Sequence, residues 1–232
     1  MTSKSDLNDL LHHLSLVPKN QHLIENAFVH RSYLNESTDF QESNERLEYL
    51  GDAVLELATS NFLFTTYPEY QEGMLTNIRA ALVRTESLAD TALSLNFSNL
   101  ILMSKGEAAT GGQSNKSILA DAFEAFLGAV YLDLGYDAVV NILTAHLFPK
   151  TAAVIAAGSY KDNKSFLQEV AQARFKATPE YKLLSESGPD HDKEFVMQVT
   201  VAGTPYAQGA GKSKQAAQED AAKNTLAALL HA

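Results

Sequence analysis

The chain contains no cysteine, which excludes disulfides, thiolate nucleophiles and cysteine-ligated metal. It also lacks any apolar run approaching the roughly 20 residues that a membrane-spanning helix needs, so no membrane partner is expected. In the first twenty residues, MTSKSDLNDLLHHLSLVPKN, His12 and His13 interrupt what would have to be a continuous apolar stretch. A secretory signal is therefore not expected, and a cytoplasmic location is. Internal repeats and low-complexity tracts are missing. So is a surplus of basic residues: the net charge is -10, which argues at first sight against phosphate contacts, since these come from Lys and Arg.

That charge is unevenly placed. Residues 1–160 hold 9 Lys and Arg against 19 Asp and Glu, whereas residues 161–232 hold 9 of each. The whole acidic excess lies in the first part. With 232 residues, 45% hydrophobic and 20% charged, the chain has the composition of one or two globular domains with a real core.

From about Leu7 to Phe148 apolar residues recur at helical spacing, as in Leu47, Leu50, Val54 and Leu57, or Leu119, Phe123, Phe126, Leu127 and Val130. Pro18, Pro68 and Pro149 fall between such segments, where helices are expected to break. Residues 105–117, KGEAATGGQSNKS, read as a loop. Residues 152–165 read as the exit into a short linker. Beyond it the order changes: an amphipathic helix over 165–175, strands in EYKLLSESG and KEFVMQVTVAG, a third in GTPYAQGAG, and an Ala-rich helix over 212–230. The expectation is an all-α domain over 1–155, a linker over 156–162, and a small α+β unit of order α-β-β-β-α over 163–232.

The segment ERLEYLGD, Glu45–Asp52, sets three acids on one helical face, since Glu45, Glu48 and Asp52 fall within roughly 60° of one another. Glu56 continues the stripe. A second apolar helix carries Asp121 and Glu124, again three apart. Two carboxylates about 4 Å apart repel by about 4 kcal/mol at an effective dielectric near 20. Protonation, an arginine partner or a divalent cation relieves this. An all-oxygen cluster without cysteine or a paired-histidine pattern favours Mg²⁺, with Mn²⁺ as a substitute, over Zn²⁺. Such sites hydrolyse or transfer phosphoryl groups. A solvated acidic face paired with Arg46, Arg79 or Arg84 accounts for the same spacing, which does not choose between the two.

The wording of the segments does choose. NERLEYLGDAVLEL (44–57) closely resembles the hallmark motif of the ribonuclease III family of double-stranded-RNA endonucleases. AFVHRSYLNE (27–36), EGMLTNIRAALVR (72–84) and SILADAFEAFLGAVYLDLG (117–135) resemble the other blocks of that family's catalytic domain, in order. The tail, from LQE through GPDHDKEF to GAGKSK, resembles its double-stranded-RNA-binding domain. The resemblance covers nearly the whole chain. It implies metal-ligand roles for Glu48, Asp52, Asp121 and Glu124, with Asp52 and Glu124 central to catalysis, and accessory catalytic roles for Glu45 and Glu72. Asn44, Arg46 and Gly51 belong to the motif. Asn44 reads equally as a helix cap and Gly51 as a close-packing position. Tyr49 takes the place of a residue packed into a partner subunit, with a core aromatic as the alternative. Glu56 matches no functional position. His30 reads as a structural, hydrogen-bonded histidine, and the pair Gly111-Gly112 as part of a mobile loop, because no GK[ST] follows it.

A-form RNA is read across its minor groove through 2′-hydroxyls and phosphates. The elements that match are Gln168 and Glu169 on the first tail helix, His191 in the following loop, and Lys212 and Lys214 at the start of the last helix. Gln215 and Ala216 stand where the family carries further basic residues, so the affinity of the tail for RNA is expected to be modest. The resemblance implies a homodimer that cuts both strands of an RNA duplex, leaving 5′-phosphate and 3′-hydroxyl ends with short 3′ overhangs. No small-molecule cofactor is implied. Its substrates would be ribosomal RNA precursors, messenger RNAs and other structured RNAs. The rivals are a catalytically silent RNA-binding scaffold and a metal-dependent phosphohydrolase of small molecules. Retention of all six acids argues against the first, and the tail against the second.

Overall fold

The computed structural model describes residues 4–158, 163–189 and 193–230, which fall in two compact units, 1–160 and 161–232. The first unit is built from helices α1 (Lys4–His13), α2 (Gln21–Asn26), α3 (Glu45–Thr66), α4 (Glu72–Val83), α5 (Thr85–Ser94), α6 (Lys105–Ala109), α7 (Lys116–Leu134), α8 (Tyr136–His146) and α9 (Lys150–Ala157). Short 3-10 turns lie at Arg31–Asn35, Phe97–Asn99 and Gly112–Ser114.

Helix α7 is the axis of this unit. Its run from Ile118 to Ala120 and from Ala125 to Val130 is buried, because nearly every position there is Ala, Leu, Ile, Val, Phe or Gly. Helix α3 lies against it with the stripe Leu47, Gly51, Val54, Leu55 and Ala58, the spacing expected of one buried helical face. The two backbones meet at glycines. A Cβ on Gly51 would collide with the carbonyl oxygen of Glu124, and one on Gly128 with the carbonyl oxygen of Leu47. The other side of α7 packs on α5, and Phe28, Phe97, Phe123 and Phe126 fill the space with tilted and edge-on ring contacts.

Two expectations are corrected here. Residues 105–117 are not one loop, for α6 occupies the first five and α7 begins at Lys116. Helix α6 forms because N–H groups of its first turn find acceptors: its N-cap Ser104 accepts through Oγ from the Glu107 N–H at 3.1 Å, and the distant Glu36 carboxylate accepts from the Lys105 N–H at 3.1 Å. Helix α9 runs to Ala157 and so takes the first two residues of the expected linker. Gly158, at φ 61°, supplies the left-handed turn that stops it.

The second unit has helices α10 (Asn163–Phe175) and α11 (Lys214–Leu230), and an antiparallel sheet of β1 (Glu180–Ser187), β2 (Glu194–Val201) and β3 (Thr204–Gly211) in the order β1-β2-β3. Met197, Val199 and Val201 alternate inward from β2 onto Leu167 and Ala171 of α10 and Ala217, Ala221 and Leu226 of α11. This is the α-β-β-β-α order expected. Helix α11 begins two residues later than expected, which leaves Lys212 just ahead of it.

Candidate active site

The glycine crossing decides what the acids can do. Because α3 and α7 touch backbone to backbone, Glu48, three residues before Gly51, meets Asp121 and Glu124 at short range. Glu48, Asp121 and Glu124 each offer a carboxylate oxygen, and these three oxygens lie within 4.8 Å of one another. All three are partly buried. Asp52 is exposed and stands outside this closest trio, yet its charge acts on both Glu48 and Glu124.

Crowding of like charges away from water perturbs the whole group. Glu124 is the extreme case. Its pKa is raised from 4.5 to about 8, first by burial and then by Asp52, Asp121, Glu48 and Glu56. Burial also raises Glu48, with Asp121, Glu45 and Asp52 adding to it. Asp121 is raised by burial and drawn back in part by His30. Among the described residues no ion pair reaches Glu48, Asp52, Asp121 or Glu124. The arginines that could have made this a salt-bridged face are engaged elsewhere. Arg46 pairs with Glu42 at 3.3 Å, Arg79 with Glu56 at 2.7 Å, and Arg84 with Glu86 at 4.0 Å. A close, half-buried, all-carboxylate set that no arginine or lysine pairs with fits a hard divalent cation.

The other motif residues sort by contact. Glu45 lies at the rim, exposed, 3.9 Å from Arg31 and hydrogen-bonded by Ser43 at 3.0 Å. Glu72 is not in the cluster. It opens α4, accepts from Thr76 at 3.3 Å, and lines a groove of about 640 Å³ with Leu57, Phe64, Tyr67, Tyr70 and Arg79. Asn44 sits at the start of α3 but does not cap it with its side chain; its Nδ2 donates instead to the Ala27 carbonyl at 3.2 Å. Gly51 has the close-packing role. Tyr49 is 83% exposed and therefore not a core residue, and Leu57 (60%) and Phe64 (72%) on the same helix are exposed with it. The His30 ring bonds Ser32 through Nδ1 at 2.8 Å, and the Ser32 hydroxyl accepts from the Ser104 N–H at 3.0 Å. This ties the strand-like segment at Val29, bridged to Leu102, beside Asp121.

In the second unit Gln168 and Glu169 are exposed on α10. Gln168 lines a polar cleft of about 240 Å³ with Lys164, Ser165, Tyr181, Gln215 and Glu219. Lys212 and Lys214 are exposed at the head of α11, with Lys214 Nζ 5.9 Å from the Phe195 ring centre. His191 lies outside the described residues. Sequence reasoning missed Ser165 and the contribution of Gln215 to the Gln168 cleft. Arg79, named from the sequence as a possible partner of the acidic face, does pair on α3, with Glu56.

The chain has clear relatives among known proteins. Residues 20–151 match the family model described as Ribonuclease-III-like, and residues 163–229 match the double-stranded RNA binding motif. The chain is 44% identical over 230 residues to Ribonuclease 3 of Geobacillus kaustophilus, covering 97% of this chain and 92% of that one. It is 47% identical over 215 residues to Ribonuclease 3 of Anoxybacillus flavithermus, covering 91% and 89%. Its structure is similar to that of the nuclease domain of the Campylobacter jejuni enzyme, with a TM-score of 0.57 and 38% identity, over 62% of this chain and 99% of that one.

Proposed function

Because this chain belongs to the ribonuclease III family, and so is a double-stranded-RNA-specific endoribonuclease, we propose that it hydrolyses phosphodiesters in a divalent-metal-dependent way. The products would be 5′-phosphate and 3′-hydroxyl ends with short 3′ overhangs. The observation that carries this is the carboxylate trio at the glycine crossing, which no arginine or lysine among the described residues pairs with, and in which the Glu124 pKa is raised to about 8.

Glu48, Asp121 and Glu124, with Asp52 beside them, would hold Mg²⁺ or in its place Mn²⁺. When bound, such an ion polarises the phosphodiester and makes water a better nucleophile near neutral pH. The chain's own residues do the rest. The Gly51–Gly128 contact keeps the facing carboxylates at fixed separation. Arg31 holds Glu45 at the rim, where it can meet the RNA. Without an ion the Glu124 carboxyl, raised to about 8 by burial and by its acidic neighbours, keeps its proton at neutral pH, and it would release that proton when a cation is bound.

RNA is drawn across the second unit by Gln168 and Glu169 at 2′-hydroxyls and by Lys212 and Lys214 at phosphates, with His191 in the next minor groove. The working form is a homodimer in which each subunit cuts one strand. Its support here is the exposed face of Tyr49, Leu57 and Phe64, large apolar side chains that a second copy would cover. The similar nuclease domain of Campylobacter jejuni has a region involved in dimer formation, which supports a dimer for this chain without locating the interface. We place its substrates among ribosomal RNA precursors, messenger RNAs and other structured RNAs of the cytoplasm. No single helix among the described residues is long and apolar enough to cross a membrane.

The test incubates the protein and its Glu124→Gln variant with a perfect RNA duplex, in Mg²⁺ or in EDTA. The unsubstituted protein is expected to cut only with metal, and the variant to bind without cutting. Equal cutting by both would remove the proposed site.

A further inference from the structure

Glu56 poses a problem that the reaction does not explain. It continues the stripe of Glu48 and Asp52, one turn beyond Asp52, and its charge reaches Glu124. Yet its carboxylate is not among the oxygens that gather at the crossing. What holds it aside comes from a different helix. Arg79 of α4 sets Nε 2.7 Å from Glu56 Oε2 and donates from Nη1 to Ser60 Oγ at 2.7 Å. The Ser60 hydroxyl in turn donates to the Glu56 carbonyl at 2.7 Å. One planar guanidinium thus engages a side chain and a hydroxyl a turn apart on α3, a geometry that lysine cannot reproduce. Glu72, seven residues before Arg79 and on the same face of α4, lines the same groove.

We propose that Arg79 is a positioning residue of the nuclease site, which pins Glu56 away from the carboxylate cluster and so limits that cluster to Glu48, Asp52, Asp121 and Glu124. The inference rests on the metal-dependent reading of the cluster. Without the guanidinium, Glu56 swings free one turn from Asp52, and the two offer a second, misplaced position for a divalent cation. Arg79 never touches RNA or the reacting atoms in this account.

The experiment compares the full-length protein with R79Q, R79K, E56Q and the double variant E56Q/R79Q. Mn²⁺ bound per chain is counted by electron paramagnetic resonance, and kcat and KM are measured on an RNA duplex. R79Q is expected to bind one additional ion and to lose about tenfold in kcat, the lower end for loss of a group that orients metal ligands, with KM little changed. E56Q/R79Q returns the ion count to that of the unsubstituted protein and recovers most of kcat, because the carboxylate that Arg79 restrains is gone. E56Q alone keeps both. Should R79Q fold poorly, R79K carries the test: it keeps the charge without the fork and is expected to fall between the parent and full loss. A kcat loss that the double variant does not recover would mean a merely structural role and overturn the proposal. So would an unchanged ion count in R79Q. If the unsubstituted protein binds no Mn²⁺ and cuts in EDTA, the metal reading itself fails and takes this inference with it.

Discussion

Replacing Glu124 by Gln should abolish cutting yet make the metal-free protein more stable, and the size of the gain follows from the site. Folding moves the pKa of this carboxyl from 4.5 to about 8 by burying it among Asp52, Asp121, Glu48 and Glu56. The folded state therefore holds a proton that the unfolded chain releases. A raised carboxyl pKa costs stability progressively as pH rises from 4.5, and the loss is complete above about 8. A tenfold change in proton affinity is worth about 1.4 kcal/mol, so the whole rise amounts to about 5 kcal/mol. Glu124 is only partly buried, and solvent screening reduces this to about 2 kcal/mol. Gln cannot ionise and can donate its amide protons to Glu48 or Asp121. At pH 9 in EDTA, E124Q should thus unfold about 2 kcal/mol harder than its parent, or about 4–8 °C higher. At pH 5.5 the advantage should shrink below about 1 kcal/mol. Adding Mg²⁺ at pH 9 should stabilise the parent and leave the variant unmoved. Calorimetry or urea titration at the two pH values reads the difference directly. A variant no more stable than its parent at pH 9, or an advantage that does not depend on pH, would refute the picture of a strained carboxylate cluster.

Further outcomes are expected from other parts of the molecule. G51A places a methyl against the backbone of Glu124, which cannot yield as a side chain would; a loss of about 3 kcal/mol in urea titration and of cleavage is expected, and a loss under about 1 kcal/mol would disprove the contact. Y49D/L57D puts charge on the exposed face of α3, and sedimentation should then show monomers; a persistent dimer would place the interface elsewhere. K212Q/K214Q should lower the slope of log K against log salt by about 2 at most, and an unchanged slope would deny these lysines their phosphates. The pKa of His146 is lowered from its ordinary 6.5, first by burial and then by His13, 5.7 Å away between ring centres. The stability that depends on its neutral form is present above its ordinary pKa of 6.5 and is lost as pH falls below it. H146N should flatten the thermal stability profile between pH 7 and 5.

The fold was legible where periodicity is long and strong. Helices α3 and α7 carry their apolar faces over many turns, and β2 alternates over its whole length, so local pattern and tertiary burial agree. Legibility failed where distant groups do the work. The five residues of α6 have no pattern of their own, and it is Glu36, 69 residues away, that receives the Lys105 N–H. The end of α9 was hidden for another reason: its Ala-rich sequence passes smoothly into the linker until Gly158 takes positive φ.

The candidate site shows the same division at finer scale. Helical spacing put Glu45, Glu48, Asp52 and Glu56 on one stripe and could not rank them. Nothing in that spacing tells which neighbour each one faces. The glycine at position 51 gives Glu48 and Asp52 the acids of α7 as neighbours, because only a residue without a Cβ lets the two backbones touch. Glu56 instead meets Arg79 from α4, and Glu45 meets Arg31 from the segment before α3. A salt-bridged face and a crowded carboxylate face therefore both exist on α3. They are the same row of carboxylates, divided by which helix arrives opposite each turn.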